Sequence, residues 1–111
     1  MSKIITDEEL IKLDSFDASK DSDGFIFVID ADKDNKMTIE NFSEKDTLKF
    51  INTATNNIED IKFCTRDYDN GESVLVCSGV DIELKKLKTS RFWNVESFKE
   101  IFGDNSLVVG G

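Results

Sequence analysis

Histidine and proline are both absent from this chain of 111 residues, and only two cysteines are present. Nucleophilic catalysis by Ser-His-Asp or Cys-His groups needs an imidazole that titrates near neutrality, so both mechanisms are excluded. A structural zinc site with nitrogen and sulfur ligands would also have too few ligands. Because Asp and Glu are abundant and no carboxylate pair stands out, we expect a protein that is not an enzyme and that holds no metal or other cofactor.

Long hydrophobic runs are missing as well. The longest is the five-residue run from Phe25 to Ile29, whereas a membrane-spanning helix needs about 20 apolar residues. The segment from Met1 to Leu13 lacks the apolar stretch of a signal peptide. We therefore expect no contact with a membrane and a cytoplasmic location, and the length predicts one acidic domain over residues 1–111.

Charge of one sign dominates what is present. The chain has 23 Asp and Glu against 14 Lys and Arg, a net charge of −9, and the excess lies almost entirely in residues 1–60. An acidic field repels phosphate backbones and attracts basic surfaces. The sequence therefore predicts a basic protein partner and no direct contact with nucleic acid.

Three segments are typical of helices. Thr6 and Glu9 form a capping box before a helix expected over residues 7–14, which would bury Leu10. A second helix is expected from Ser43 to about residue 57. A third is expected from Val95 to Phe102, with Asn94 as its N-cap and Gly103 as its stop.

Five segments between these helices are typical of strands: residues 25–29, 37–42, 61–65, 73–77 and 80–84. The first is apolar on both faces, which is typical of a strand that is covered on both sides. Residues 32–36 would connect the first two strands, and Asn70-Gly71 would connect the third and fourth in a tight hairpin. The prediction is an α+β fold of order α-β-β-α-β-β-β-α, a mostly antiparallel sheet, no internal repeat, and a short flexible tail at 104–111.

A series of aspartates in the acidic half is the leading candidate for a functional site. We expect these carboxylates to attract a basic partner, as in an inhibitor, an immunity-type protein or a viral antagonist that mimics nucleic acid. The spacing from residue 30 to 34 also matches the first positions of a calcium loop, although the later positions fail, so calcium binding is a further alternative. The expected partner-binding residues are Asp17, Asp21, Asp23, Asp30, Asp32 and Asp34.

The two cysteines and a short basic segment are weaker candidates. A two-residue loop at Asn70-Gly71 would place Cys64 opposite Cys77, where a thiol pair could form a disulfide or stay reduced. Basic residues beside aromatic ones can hold single-stranded nucleic acid, but they can also balance nearby acids, and Trp93 is expected to pack in the core or against a helix. The basic segment contains Lys85, Lys86, Lys88 and Arg91, followed by Phe92-Trp93.

The chain ends in Leu107-Val108-Val109-Gly110-Gly111. This apolar run before a terminal Gly-Gly resembles the tail of ubiquitin-like modifiers and bacterial sulfur-carrier proteins. The resemblance implies a β-grasp fold and a tail that is activated at its terminal carboxylate, which would make Gly110 and Gly111 the functional residues. A carrier of this kind is the main alternative to a binding protein.

Overall fold

The computed structural model describes residues 3–52, 61–67, 70–89 and 91–110. Sheets and helices are both present, which confirms the coarse α+β prediction. The predictions of three helices and of a mostly antiparallel sheet are wrong, because the described residues contain two α-helices and two sheets with many parallel pairs. The strands are β1 (Lys3–Thr6), β2 (Phe16–Asp17), β3 (Phe25–Asp30), β4 (Lys36–Glu40), β5 (Thr47–Ile51), β6 (Lys62–Asp67), β7 (Glu72–Cys77), β8 (Val80–Lys85) and β9 (Leu107–Val109), and the helices are α1 (Asp7–Leu10) and α2 (Val95–Phe102).

The chain passes back and forth between the two sheets. Sheet A has the strand order β1-β3-β5-β9, and all of its neighbours are parallel. Sheet B has the order β2-β4-β8-β7-β6, in which β2, β4 and β8 are parallel and β7 and β6 are added antiparallel. Because successive strands up to β5 lie in alternate sheets, the backbone coils as a short two-sheet β-solenoid.

The coil has a regular period that the sequence does not reveal. Lys3 pairs with Phe25 and Ile26 pairs with Thr47, so one turn of the coil takes ~22 residues. The β6–β7 hairpin is inserted between β5 and β8 and widens sheet B. The expectation of no internal repeat is therefore wrong for the backbone, because the repeat is one of strand positions and not of residue identities.

The first predicted connection, residues 32–36, is a crossing between the two sheets and not a hairpin turn. Residues 25–29 and 37–42 were expected to pair through a turn, but β3 lies in sheet A and β4 in sheet B. The intervening residues cross from one sheet to the other, and Ala31 donates its N–H to the Ile51 carbonyl of the next coil at 2.9 Å. Solenoid corners of this kind bond to neighbouring coils rather than closing a hairpin.

The helix predicted from Ser43 is wrong, because residues 47–51 form β5. Ser43 and Asp46 do form a capping-like turn, in which the Asp46 carboxylate accepts the Ser43 N–H at 2.9 Å. The same carboxylate also accepts the Phe25 N–H at 2.8 Å, which fastens the turn to β3. Burial then alternates residue by residue along β5, with Leu48 and Phe50 buried, as expected for a strand.

The two helices differ in how well the sequence predicts them. The capping box of α1 is present, with Glu9 accepting from the Thr6 N–H at 3.5 Å, but the helix stops at Leu10 instead of running to residue 14. Ile11 and Leu13, which follow the helix, are exposed. The prediction of α2 over residues 95–102 is confirmed.

The hydrophobic core lies between the sheets. Alternate side chains of the strands point into it, and Phe27, Ile29, Leu48 and Phe50 are fully buried. Phenylalanine rings also join the coils to α2 through edge-to-face and tilted contacts with centroids 4.7–6.4 Å apart. The rings in this continuous set are Phe16, Phe25, Phe27, Phe42, Phe63, Phe92, Phe98 and Phe102.

Candidate binding surfaces

The six predicted aspartates lie at two separate corners of the coil. Asp17 ends β2, and Asp21 and Asp23 lie between β2 and β3, where the chain enters sheet A. Asp30 ends β3 and precedes the corner that contains Asp32 and Asp34, where the chain leaves sheet A. Because a six-residue strand is roughly 17 Å long, the two groups lie at opposite ends of β3. The structure does not bring the six carboxylates together as one face.

Three of these aspartates shape the corners. Asp17 accepts the Ser19 N–H at 2.9 Å, and Asp21 accepts the Asp23 N–H at the same distance. In the other corner the Asp30 carboxylate accepts the Asp32 N–H at 3.0 Å. A short carboxylate that bonds to the backbone two residues on stabilises a tight turn. This local role explains much of the aspartate spacing that the sequence shows.

Hydrogen bonding shifts the ionisation of two corner carboxylates. The hydroxyl of Ser19, the amide of Asn41 and the Ser19 N–H all donate to Asp17 and lower its pKa to about 2. The Asp23 N–H, followed by the Lys3 ammonium 3.1 Å away, lowers the pKa of Asp21. Both carboxylates are therefore held in the charged form at neutral pH.

The calcium-loop spacing is not assembled into a ligand set in the described residues. Asp30 faces Lys33 at 4.0 Å, and that lysine also lies 3.7 Å from Glu8. Among the residues that the structure describes, no three Asp, Glu or Cys side chains are grouped as metal ligands would be.

The two cysteines do not face each other. Cys64 pairs with Val74, and Cys77 pairs with Val80, so the predicted register and the thiol pair that depends on it are wrong. Asp67 pairs with Glu72, so the loop between the strands is longer than the predicted two residues. A register shift between Thr65 and Asp67 accompanies it. Both cysteines are thiols, one exposed and one buried.

The segment predicted as a tail contains β9, which pairs with β5 at the edge of sheet A. Leu107 is buried, and Gly110 donates its N–H to the Phe50 carbonyl at 3.0 Å. Gly111 lies outside the described residues. The β-β-α-β-β order of a β-grasp sheet, which the resemblance implies, is not the order of this fold.

The side of sheet A that points away from the core has few charges. We call this side the outer face of sheet A. Its central position is Val28, beside Ile26 on the same strand, and Ile4 at its edge is 63% exposed. Lys49 is the charged residue within the face, and Asp30 stands at its end. The outward residues of the four strands are Ile4, Thr6, Ile26, Val28, Asp30, Thr47, Lys49, Ile51 and Val108.

Sheet B offers a direct comparison. On its outer face, defined by the outward positions of β4 and β8, charged residues alternate with buried ones. Glu83 lies 3.8 Å from both Lys36 and Lys85, and Lys86 at the end of β8 lies 3.0 Å from Glu40. The two sheets of one small protein therefore present opposite kinds of surface. The outward residues of β4 and β8 are Lys36, Thr38, Glu40, Asp81, Glu83 and Lys85.

The sequence did carry a signal for the outer face of sheet A. The run from Phe25 to Ile29 is apolar on both faces, which predicts cover on both sides. The core covers Phe27 and Ile29, while Ile26 and Val28 are partly exposed. The sequence does not predict which residues of the neighbouring strands share this face, because their parallel pairing is not evident from the sequence.

A groove lies at the corner where the chain passes from sheet B to sheet A. We call it the corner groove; its volume is about 940 Å³. Three adjacent turns line it, and the end of α2 contributes Ile101 and Phe102. The turns are residues 18–22, residues 41–45, and the segment that contributes Lys86, Lys88 and Thr89. Of the basic segment found in the sequence, Lys86 and Lys88 line the groove. Phe92 is buried, whereas Trp93 is 70% exposed, so Trp93 is not part of the core, which was one of its two expected positions.

Comparison of the chain with protein-family models, with curated proteins and with solved structures finds no match. The described part of the chain is a short two-sheet β-solenoid with one outer face of few charges and one of paired charges. No helix in the described ranges is long and apolar enough to cross a membrane.

Proposed function

We propose that this chain is a non-enzymatic protein that binds another protein through the outer face of sheet A. The observation that supports the proposal is the scarcity of charge on that face in a chain of which 33% is charged. An inhibitor, an immunity-type protein or a viral antagonist would act in this way, by binding alone.

The apolar character of the face favours a macromolecular partner. Parallel sheets are normally covered on both sides, because their strands are apolar on both faces. Here the core covers one side, and the other side carries Ile4, Ile26 and Val28. Apolar residues that neighbour one another on an outward sheet face are typical of interaction sites in soluble proteins.

The acidic corners favour a partner that is basic around an apolar centre. Asp23 is exposed at the corner before β3, and Asp32 and Asp34 are exposed at the corner after it. Protein interfaces commonly combine an apolar core with a polar rim, and rim charges accelerate encounter over a screening length of about 8 Å at physiological ionic strength. The aspartates would therefore act as a charged rim at the two ends of the face.

The carrier alternative depends on the C-terminal glycines and not on a sheet face. It requires the last two glycines to be free for activation, whereas Gly110 is bonded to β5 through the Phe50 carbonyl. Removing Gly110 and Gly111 abolishes the activity of a carrier. A protein that binds through the outer face of sheet A would retain its partner.

Affinity capture with matched variants tests the proposal. We expect immobilised wild-type protein to retain a partner that Val28→Lys loses by about tenfold, because the new ammonium must be buried against an apolar and basic surface. Thr38→Lys is the control, since Thr38 holds the corresponding outward position on β4 and receives the same charge. Captured proteins are quantified by mass spectrometry for the three baits. Equal retention by the two variants would contradict the proposal.

A further inference from the structure

We infer that the corner groove is a second binding site, and that it takes a short acidic peptide segment carrying an apolar side chain. The groove shares no residue with the outer face of sheet A. The inference therefore extends beyond the proposed function and stands or falls separately.

The shape of the corner groove suits an extended segment. Its three lining turns belong to adjacent coils. Neighbouring strands lie about 4.8 Å apart, so three coils span roughly 10 Å, the length of three or four extended residues. The volume of about 940 Å³ lies at the upper end of the range of small-ligand pockets.

The inner wall of the groove is apolar. Phe42 and Phe102 contribute surface to it although both are almost fully buried, and Ile101 is partly exposed beside them. The two rings contact each other edge to face at 5.3 Å, so the wall is firmly packed. An apolar side chain of the ligand would lie against this wall and gain burial.

The charges around the groove favour an anionic ligand. Lys20, Lys45 and Lys88 line it and form no ion pair with any residue that the structure describes. Lys20 lies 5.5 Å above the Phe16 ring and also helps to lower the pKa of Asp17, without forming an ion pair with it. Glu44 is the one lining acid that lacks an ion pair in the described ranges. Three lysines without an ion pair in the described ranges thus line one groove of a protein whose net charge is −9.

The remaining lining charges are already paired. Lys86 lies 3.0 Å from Glu40, and Asp21 lies 3.1 Å from Lys3. Within each pair the two charges cancel. Among the remaining lining charges, the three unpaired lysines outnumber Glu44. A ligand with several carboxylates would complement that excess.

The lining turns are held in place before any ligand arrives. Asp46, 2% exposed, bonds the turn at Ser43 to β3. Asn41 has a left-handed backbone with φ 62° and donates its amide to Asp17 at 2.9 Å. A pre-organised lining lowers the entropy cost of binding.

Fluorescence anisotropy with synthetic peptides tests the inference. The probe is a short fluorescein-labelled peptide of Glu and Asp around a central Phe, and the comparison probes replace its acids with Gln and Asn or its Phe with Gly. We expect only the acidic Phe peptide to bind tightly, and its affinity to fall with added salt. Inorganic phosphate and free glutamate serve as competitors.

Two triple variants of equal charge separate the groove from the general charge of the protein. Lys20, Lys45 and Lys88 are changed to Gln in one, and Lys12, Lys62 and Lys99, which do not line the groove, are changed to Gln in the other. We expect the groove variant to lose about tenfold or more in affinity and the control to lose little. Near-UV circular dichroism confirms that both variants stay folded. The inference is overturned if the acidic Phe peptide fails to bind, if both triple variants lose affinity equally, or if phosphate displaces the peptide as effectively as unlabelled peptide does.

Discussion

At the scale of single residues, carboxylates that the sequence presents as one acidic cluster have different roles. Asp17 and Asp30 bond to the backbone of their own corners, whereas Asp32 and Asp34 are exposed. Asp46, which is not among the predicted site residues, is a buried acid that joins two coils. The role of a carboxylate can therefore be assigned only when the groups that donate hydrogen bonds to it are known.

The role of Asp46 can be measured directly. Asp46→Ala leaves the buried N–H of Phe25 and the part-buried N–H of Ser43 without an acceptor, and the loss of a buried partner costs about 1–3 kcal/mol. We expect the free energy of unfolding to fall by about 2–4 kcal/mol in urea titrations. Asp14→Ala, at an exposed position, is the control and should change stability little. A loss no larger than that of the control would contradict this role.

The lowered pKa of Asp17 predicts that the stability of the protein decreases at acidic pH. Its pKa is about 2 in the folded protein against an ordinary value of 3.8, so its contribution is present above pH 3.8 and is lost as pH falls toward about 2. We expect the melting temperature of Asp17→Ala to fall less steeply than that of the wild type over this interval. Thermal melts followed by circular dichroism at several pH values provide the measurement. Parallel curves for the two proteins would show that the Asp17 hydrogen bonds contribute nothing.

At the scale of elements, local signals predict local structure and fail where the partner lies far along the chain. The bounds of α2 were predicted because Asn94 and Gly103 mark its ends. The second predicted helix is β5 instead, because the polar turn at Ser43 resembles a helix start while Leu48 and Phe50 alternate as in a strand. The parallel pairing of β1 with β3 and of β3 with β5 leaves no mark in either segment alone.

The two candidate surfaces also depend on residues that lie far apart along the chain. The apolar run from Phe25 to Ile29 indicated a strand with two apolar faces, yet its neighbours on the outer face of sheet A depend on register. The corner groove depends on three segments that are far apart in sequence. Neither surface could be derived before the coil was known.

The register of the β6–β7 hairpin makes a prediction about thiol chemistry. Cys64 is exposed and Cys77 is 3% exposed, and they do not pair. We expect one thiol to react quickly with a labelling reagent in the native protein and the second to react only on unfolding. Mass spectrometry of the labelled protein, with Cys64→Ser to identify the fast site, provides the readout. A mass that shows a disulfide in air-oxidised protein would favour the register predicted from the sequence.

At the scale of the whole molecule, the β-solenoid separates two kinds of surface that a random distribution of charge would mix. The outer face of sheet B carries paired charges such as Lys36 and Glu83, and the outer face of sheet A carries Ile26 and Val28. Acids of the described ranges also lie at the corners between the sheets, among them Asp21, Asp32 and Asp34.

The most direct test of this account is site-specific photo-crosslinking of the protein to its captured partner. A benzoylphenylalanine is placed at Val28 in one variant and at Thr38 in another, so that the two probes stand at corresponding outward positions of the two sheets. We expect a crosslinked product from position 28 and none from position 38. A crosslink from position 38 without one from position 28 would contradict the assignment of the binding surface to the outer face of sheet A.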